Sequence, residues 1–218
     1  QYHRNQSPRA DGPPVSTPFT GAVAADFQRN RLMWERTSSF PGGFDFSNRW
    51  IVTEQEGTNY NLLRRQFSPL QNVAAFNDGI LRRIPQYMLK SALDRAATLR
   101  WAGEALNDGK QHNLISFATP NGVVITLHFD AHTNLLAKYE FLATDPLFGD
   151  VVSETTYTGY QSIGGIQLPT GQVQKFGGVL VQDVTYSAHA VNALPAGIFD
   201  SPSEFATAAP AGAPTAFS

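Results

Sequence analysis

The stretch Asn113–Asp130, NLISFATPNGVVITLHFD, decides the fold class expected for this chain. Apolar and polar residues alternate with period two on both sides of its centre, which is typical of strands that bury one face. The centre contains Asn121-Gly122, and Asn-Gly between two such runs is the strongest short-range signal for a β-hairpin. One face of the second run carries Val123, Ile125, Leu127 and Phe129. The sequence therefore predicts two antiparallel strands, Asn113–Ala118 and Val123–Asp130, joined by a tight turn.

Segments outside this hairpin complete the predicted fold. Six other runs bounded by turn residues are expected to be strands: Phe44–Gln55, Thr58–Pro69, Leu135–Ala143, Val151–Tyr160, Ile166–Phe176 and Val179–Val191. The main helix is predicted over Ile84–Trp101, because apolar residues recur there at spacings of three and four. Pro85 suits its first turn and Gly103 follows as a C-cap, while shorter helical segments are expected at Ala22–Glu35 and Asn72–Asp78. The predicted fold class is α+β: a curved antiparallel sheet, a half-barrel of about eight strands, with the main helix packed on its concave face.

The two ends of the chain differ in composition from its middle. Gln1–Thr20 is rich in Pro, Ser and Arg and lacks apolar periodicity, so it is expected to form a disordered or extended arm. Ala206–Ser218 is an uncharged Ala/Pro/Gly/Thr tract, a composition typical of semi-rigid linkers. Residues 21–205 are therefore expected to form a single curved-sheet domain.

The composition excludes several kinds of site. The 218 residues include no cysteine, which excludes disulfides, thiolate catalysis and cysteine-ligated zinc. The formal net charge is −2, with a balance of +4 in residues 1–110 and −6 in residues 111–218. This acidic second half argues against nucleic-acid binding. No apolar run approaches the roughly 18 residues that a membrane span needs, and a signal peptide is not evident at the start, so any targeting segment is expected to have been removed.

Sequence motifs for catalysis are missing. G-x-S-x-G, H-E-x-x-H, the phosphate-binding loop and the dinucleotide fingerprint do not occur, so no catalytic or cofactor-binding residue is assigned. The only metal-like cluster is His128, Asp130 and His132, three ligand types that could converge at the end of a hairpin. This pattern lacks a fourth ligand and matches no zinc motif. Polar side chains on the solvated face of the hairpin are the favoured interpretation, and no cofactor is predicted in this chain.

Two doubled arginines interrupt the pattern of strands. Arg64-Arg65 lies within the predicted strand Thr58–Pro69, and Arg82-Arg83 precedes the main helix. Because neighbouring residues in a strand point to opposite faces, one arginine of the first pair would face inward. Such a buried arginine needs a carboxylate or backbone carbonyls, so a structural ion pair is favoured over an anion-binding site.

An apolar cavity is the remaining candidate site. A curved antiparallel sheet closed by a helix can enclose space for a lipid-like ligand. The candidate lining residues are Trp50, Tyr60, Met88, Leu89, Leu93 and Phe129. A plain hydrophobic core is the favoured interpretation of the same side chains.

The segment from Arg82 to Pro202 contains motifs that resemble a known domain. They are RIPQYMLKSAL at 83–93, NGVVITL at 121–127, NLLAKYE at 134–140, YTGY at 157–160, GGIQLP at 164–169 and FDSP at 199–202. The segment is similar to the domain upstream of the zinc-binding core in some secreted bacterial metallo-β-lactamase-fold hydrolases. That domain resembles the periplasmic lipoprotein carriers of the LolA/LppX type, which are curved half-barrels covered by helices. The zinc motif of the hydrolase core, H-x-H-x-D-H, is absent, so no catalytic residue is carried over.

The resemblance implies a non-catalytic, amino-terminal accessory domain of a secreted zinc hydrolase, which would shape substrate access or dimerisation. The implied partners are a metallo-β-lactamase-fold catalytic domain or chain that holds the zinc, a second copy of this chain, and an apolar small molecule. The implied location is the bacterial periplasm or the extracellular space. Two alternatives stay open: a freestanding periplasmic lipid or lipoprotein-binding carrier, and an independent enzyme with an unrecognised site.

Overall fold

The computed structural model describes residues 2–6, 15–40, 43–53, 56–73, 76, 82, 84–146 and 149–205. The chain forms two compact units, a five-stranded unit built mainly from Thr17–Leu81 and Ala190–Ser218, and a helix-bearing unit built mainly from Arg82–His189. The strands and the α-helix run in the order β1 (Tyr2–Gln6), β2 (Val15–Asp26), β3 (Arg31–Phe40), β4 (Phe44–Val52), β5 (Gly57–Asn61), β6 (Gln66–Pro69), α1 (Pro85–Asp94), β7 (Arg100–Asn107), β8 (Lys110–Ala118), β9 (Val124–Asp130), β10 (Leu136–Asp145), β11 (Gly149–Ile163), β12 (Ile166–Phe176) and β13 (Val179–Thr185). Short 3₁₀ turns lie at Ala96–Thr98 and Ser203–Phe205.

The five-stranded unit is an antiparallel meander in which each strand from β2 to β6 pairs with the next. The register places Trp34 opposite Trp50 and Leu32 opposite Val52. Because side chains alternate along a strand, these four residues share one face of the sheet. Tyr60 is paired with the β4 residue that precedes Trp50, so its side chain points to the other face.

The helix predicted over Ala22–Glu35 is wrong, because β2 and β3 form a hairpin in this segment. The Asp26 carboxylate closes the turn by accepting hydrogen bonds from the backbone N–H groups of Gln28 and Arg29, each at 3.1 Å. Asn30 completes it with a φ of +47°, a conformation that asparagine tolerates. The alanines before the turn favour a helix locally, but pairing with a neighbouring strand overrides that preference.

The predicted strand Thr58–Pro69 is two strands, β5 and β6, separated by a turn at residues 62–65. Arg65 has a φ of +51°, and both Arg64 and Arg65 are exposed in this turn. The prediction that one of these arginines faces inward is therefore wrong. The turn is signalled by Asn61, whose side-chain oxygen accepts a hydrogen bond from the Arg64 N–H at 2.9 Å.

The helix-bearing unit is a second antiparallel meander, in which β7 to β13 follow one another across the sheet. Helix α1 packs on one face of this sheet through Met88 and Ala92. The buried residues of this core are Met88, Ala92, Phe117, Ile125, Leu127, Leu136, Tyr139 and Tyr157. Arg82 is buried beside this core, its guanidinium carbon 4.7 Å from the centre of the Phe141 ring, and Arg83 lies outside the described residues.

Helix α1 is shorter than the predicted helix Ile84–Trp101. It begins at Pro85 as expected but ends at Asp94, and β7 starts at Arg100. Gly103 is not a C-cap: it lies inside β7 with a φ of +105°, at an irregularity in the pairing with β8. The chain leaves the helix to form β7, which pairs with the next strand, β8, and the local apolar spacing gives no sign of this.

The hairpin around Asn121-Gly122 is confirmed, with Gly122 at a φ of +82° and Leu127 facing the core. The fold class is also confirmed as antiparallel β with one main helix on a sheet, although the strands divide into sets of five and seven. The last strand ends at Thr185, earlier than predicted.

The remaining predictions concern the ends of the chain, one short helical segment and membrane-spanning helices. Strand β2 begins at Val15, within the stretch predicted to be an arm. The predicted linker Ala206–Ser218 and most of the helical segment Asn72–Asp78 lie outside the described residues. In the part of the chain that the structure describes, no helix has the length and hydrophobicity needed to cross a bilayer.

Candidate ligand-binding site

The face that carries Trp34 and Trp50 in the five-stranded unit is a cluster of aromatic rings, which we call the aromatic face. The two indole rings stack with centroids 4.5 Å apart and planes 21° from parallel. Phe76 tilts against both rings, at 6.1 Å from Trp34 and 5.9 Å from Trp50, and Phe46 lies 6.0 Å from Trp50. Such a surface can pack against flat or chain-like apolar groups.

One end of the aromatic face is filled by the protein itself. Leu32 and Val52 are fully buried there, and the segment after β6 packs against them through Leu70, Val73 and Phe76. This end is ordinary core. Trp34 and Phe46 are only half-buried, whereas Trp50 between them is 9% exposed.

The opposite end of the aromatic face is polar. Arg36 lies on β3 two residues beyond Trp34, and its guanidinium carbon is 4.2 Å from the centre of the Phe19 ring and 5.7 Å from that of Phe46. Stacking of this kind stabilises a cation on an aromatic surface. The aromatic face therefore joins an apolar surface to a positively charged group.

Tyr60 does not belong to the aromatic face. Its hydroxyl is 2.7 Å from the Ser201 hydroxyl, and its ring meets the Phe205 ring edge-on at 5.1 Å. The C-terminal segment of the five-stranded unit therefore packs on Tyr60. Trp50 and Tyr60 were predicted to line one cavity, but they point to opposite faces of the same sheet.

The other predicted lining residues belong to the helix-bearing unit. Met88 is 1% exposed in the centre of its core, and Leu89 and Phe129 pack partly buried against that core. Leu93 is 72% exposed, on the side of α1 away from this packing. In this unit the side chains fill the space between the helix and the sheet, and a ligand role for them stays a prediction.

The structure separates the three metal-ligand candidates. His128 is buried, so the prediction that it lies on a solvated face is wrong. Asp130 closes the following turn by accepting hydrogen bonds from the N–H groups of His132 and Thr133 at 2.9 and 2.8 Å, and His132 is exposed in that turn. Among the described residues, no three His, Asp or Glu side chains are placed to hold a metal ion.

A buried polar network surrounds His128 and was not predicted. The Asn107 amide nitrogen lies 3.0 Å from the Nδ1 atoms of both His112 and His128, and His128 Nε2 lies 3.3 Å from the Glu140 carboxylate. His112, interpreted from sequence as an isolated strand-end residue, is only 5% exposed. The period-two pattern of β8 and β9 contains the signal, because it places His112 and His128 on the same face of paired strands.

The network fixes the charge of Glu140. The contacts with His128, 3.3 Å away, and with the Lys138 ammonium, 2.7 Å away, lower the pKa of Glu140 to about 2. Burial, together with the neighbouring His128, lowers the pKa of His112 below its usual range. The network therefore contains the Lys138–Glu140 ion pair beside His112, whose lowered pKa favours the neutral ring.

Comparisons with known proteins identify the fold. No family model matches the chain, and no curated protein matches it. Among solved structures, the chain is similar to a DUF1329 family protein from Desulfovibrio piger, with a TM-score of 0.60 and 13% sequence identity over 91% of this chain and 86% of that chain. It is also similar to LolA superfamily protein NE2245 from Nitrosomonas europaea, with a TM-score of 0.53 and 12% identity over 92% and 88% of the two chains. The chain therefore has a LolA-like fold.

Proposed function

We propose that this chain is a carrier that binds an apolar, lipid-like group on the aromatic face of its five-stranded unit. The observation that carries the proposal is the Trp34–Trp50 stack, with Phe46 and Phe76 tilted against it. Partly exposed aromatic rings, here Trp34, Phe46 and Phe76, form the kind of surface that apolar ligands occupy.

The LolA-like fold supports the same proposal. The sequence motifs in the second half of the chain resemble a domain that is itself similar to LolA-type carriers, and the structural similarity covers both units. By this analogy we place the carrier in the periplasm, where a lipid-anchored or acylated molecule needs a protein to shield its apolar part from water.

The accessory role beside a metallo-β-lactamase-fold hydrolase has no support from the comparisons. Neither similar structure is described as part of such a hydrolase, so the zinc-holding partner domain has no support either. The carrier, which was the first alternative from the sequence, fits the fold better. Association with a second copy of this chain stays a prediction.

The proposal is tested by the binding of a neutral apolar probe, N-phenyl-1-naphthylamine, to delipidated protein. We expect probe fluorescence to rise saturably and a palmitoylated peptide to displace the probe. Trp34→Ala removes half of the indole stack and should weaken probe binding about tenfold, since an aromatic side chain contributes roughly 1–3 kcal/mol at a binding surface.

The matched control is Trp101→Ala, which removes a tryptophan that is 62% exposed on β7 of the helix-bearing unit. Its probe affinity should equal that of the unchanged protein. Phe46→Ala serves as a second variant, so that loss of folding in Trp34→Ala does not decide the result. Saturable binding that neither Trp34→Ala nor Phe46→Ala weakens would contradict the proposed site, and absence of binding would contradict the carrier.

A further inference from the structure

We propose that one end of the five-stranded unit docks on the surface of a bilayer that contains anionic phospholipid. This end, which we call the docking end, consists of the tips of two hairpins: Phe40 and Phe44 in the first, and residues 62–65 in the second. The inference rests on the proposed carrier function, because it names the surface with which the carrier would exchange its ligand. It assigns a role to the doubled arginine Arg64-Arg65, which the aromatic face does not use.

The strand register brings the two tips to the same end of the sheet. Strand β3 ends at Phe40, and β4 begins at Phe44, which is paired with Phe40. Strand β5 runs antiparallel to β4, so the turn that follows it at residues 62–65 lies at the end where β4 begins. The Leu62 N–H donates a hydrogen bond to the Ser47 carbonyl at 2.9 Å, which holds the second tip against the first half of β4.

Large apolar side chains are exposed at both tips. Phe44 is 57% exposed, and its ring centre lies 5.9 Å from that of the half-buried Phe40. Leu63 is 56% exposed in the turn between β5 and β6. Neighbouring exposed apolar groups of this kind mark surfaces that bind membranes or partner proteins. A protruding turn can enter the soft interface of a bilayer without a shaped pocket to receive it.

The doubled arginine favours the membrane as the partner. Arg64 and Arg65 are both exposed, and among the described residues neither guanidinium takes part in an ion pair. Segments 38–48 and 59–68 contain one acidic residue, Asp45, so the docking end is positively charged. The planar fork of N–H donors on an arginine matches the oxygens of a lipid phosphate.

The spacing of these groups along the strands matches the layers of a bilayer surface. Phe44 lies four residues beyond the paired residues Asn48 and Asn61, or about 13 Å at roughly 3.3 Å per residue. The turn at residues 62–65 reaches about two residues, or roughly 7 Å, beyond the same pair before the chain returns. Phe44 therefore lies about 6 Å further out than the turn, within the roughly 5–10 Å to which apolar side chains enter the boundary between head groups and acyl chains. The arginines then lie at the level of the phosphates.

The docking end is continuous with the aromatic face. Phe44, Phe46 and Trp50 are separated by even numbers of residues along β4, so they share one face of the sheet. The ring centres of Phe46 and Trp50 are 6.0 Å apart. An acyl chain that leaves the bilayer beside Phe44 would therefore meet Phe46 and then the indole stack.

The experiment measures the binding of delipidated protein to vesicles by flotation. Vesicles of equal parts phosphatidylglycerol and phosphatidylcholine are compared with vesicles of phosphatidylcholine alone. We expect the anionic vesicles to bind the protein at least about tenfold more tightly than the neutral ones, because two arginines face the charged surface. Raising the salt concentration should reduce this preference, since salt screens exposed charges.

Variants at the tips locate the binding surface. Phe44→Ser and Leu63→Ser should each weaken binding to anionic vesicles about tenfold, because each loses an apolar side chain that enters the interface. Arg64→Gln and Arg65→Gln should each weaken it about fivefold, the equivalent of the roughly 1 kcal/mol that a basic residue contributes near an anionic leaflet. Binding of the arginine variants to neutral vesicles should equal that of the unchanged protein.

The matched controls lie at the opposite end of the same sheet. Arg29→Gln removes a charge from an arginine that is 74% exposed in the turn between β2 and β3. Leu194→Ser removes an apolar side chain that is 43% exposed and that lines a cavity together with Arg29. Both control variants should bind anionic vesicles as tightly as the unchanged protein.

A second measurement reports insertion directly. The chain has no cysteine, so a single introduced cysteine carries a dye at one known position. Leu63→Cys labelled with nitrobenzoxadiazole should become brighter and shift to shorter wavelength on anionic vesicles, whereas Leu194→Cys with the same dye should not change. This comparison decides the result if one of the serine variants does not fold.

The outcomes separate membrane docking from the carrier function. If the protein binds N-phenyl-1-naphthylamine but not vesicles, the carrier stands, docking on a bilayer is overturned, and the exposed tips belong to a protein interface. Docking is also overturned if the four tip variants bind vesicles as tightly as the unchanged protein, or if the controls lose as much binding as they do. If the protein binds vesicles through the docking end but does not bind the probe, docking stands and the carrier fails.

Discussion

Replacing Glu140 by Gln tests the ion pair in the polar network of the helix-bearing unit. The pKa of Glu140 falls from 4.5 to about 2, a difference worth at most about 3.4 kcal/mol at 1.36 kcal/mol per pH unit. Because 31% of the side chain is exposed, solvent screening reduces this, and we expect Glu140→Gln to lose about 2 kcal/mol of unfolding free energy at pH 7.

The sign of the pH dependence follows from the lowered pKa. The contribution of Glu140 is complete above pH 4.5, where the carboxyl is ionised in both states, and it is lost as the pH falls from 4.5 to about 2. The stability difference between the unchanged protein and Glu140→Gln should therefore shrink over that range. Urea unfolding followed by circular dichroism at pH 7, 5 and 3 measures it.

Glu154→Gln is the matched control. Glu154 lies directly opposite Glu140 on β11, and its carboxylate is 3.6 Å from Lys138 and 3.9 Å from Lys175. Because these distances are longer, Glu154→Gln should lose less than about 1 kcal/mol of unfolding free energy. The reasoning is refuted if Glu140→Gln costs no more than Glu154→Gln, or if its cost is the same at pH 3 as at pH 7.

Three further changes test other parts of the structure. Met88→Ala should lower the unfolding free energy by about 2–5 kcal/mol in urea titrations. Leu93→Ala, at 72% exposure on the same helix, should change the unfolding free energy by less than about 0.5 kcal/mol. Equal losses in the two variants would refute the packing of α1. Phe205→Ala should cost about 3 kcal/mol by the same measurement and increase acrylamide quenching of Tyr60, and unchanged quenching would mean that the C-terminal segment does not cover that ring. Because the pKa of His112 is lowered in the folded state, the free energy of unfolding should fall as the pH drops below 6.5. His112→Gln should flatten the pH dependence of the urea midpoint between pH 7 and 5. An unaltered slope of midpoint against pH would count against this.

The sequence predicts the fold best where the signals are local. The hairpin around Asn121-Gly122 needs only a turn dipeptide and two alternating runs, and both are visible in the chain. The predicted helices fail at Ala22–Glu35 and Arg95–Trp101 because the outcome depends on pairing between strands and not on the helical spacing of one segment. Alanine-rich or helix-like spacing is a weak preference, and pairing of β2 with β3 and of β7 with β8 outweighs it.

In the candidate site too, the sequence identifies the residue types but not their arrangement in the sheet. Trp50 and Tyr60 could each be recognised as large apolar residues, but which face they occupy depends on the register between β4 and β5. A register one residue different would place both on the same face. The Trp34–Trp50 stack likewise requires the pairing of β3 with β4, so the aromatic face is a property of the paired strands and not of any single segment.

The contact of Tyr60 with Ser201 and Phe205 has a consequence for biosynthesis. It joins residues 141 positions apart, and the five-stranded unit draws on both Thr17–Leu81 and the segment after Ala190. A ribosome must therefore make the whole helix-bearing unit before the first sheet receives its last packing partner. Most of the helix-bearing unit, Arg82–His189, is synthesised in this interval, and Tyr60 stays uncovered during it. A chaperone that holds the nascent chain would protect this surface during the delay.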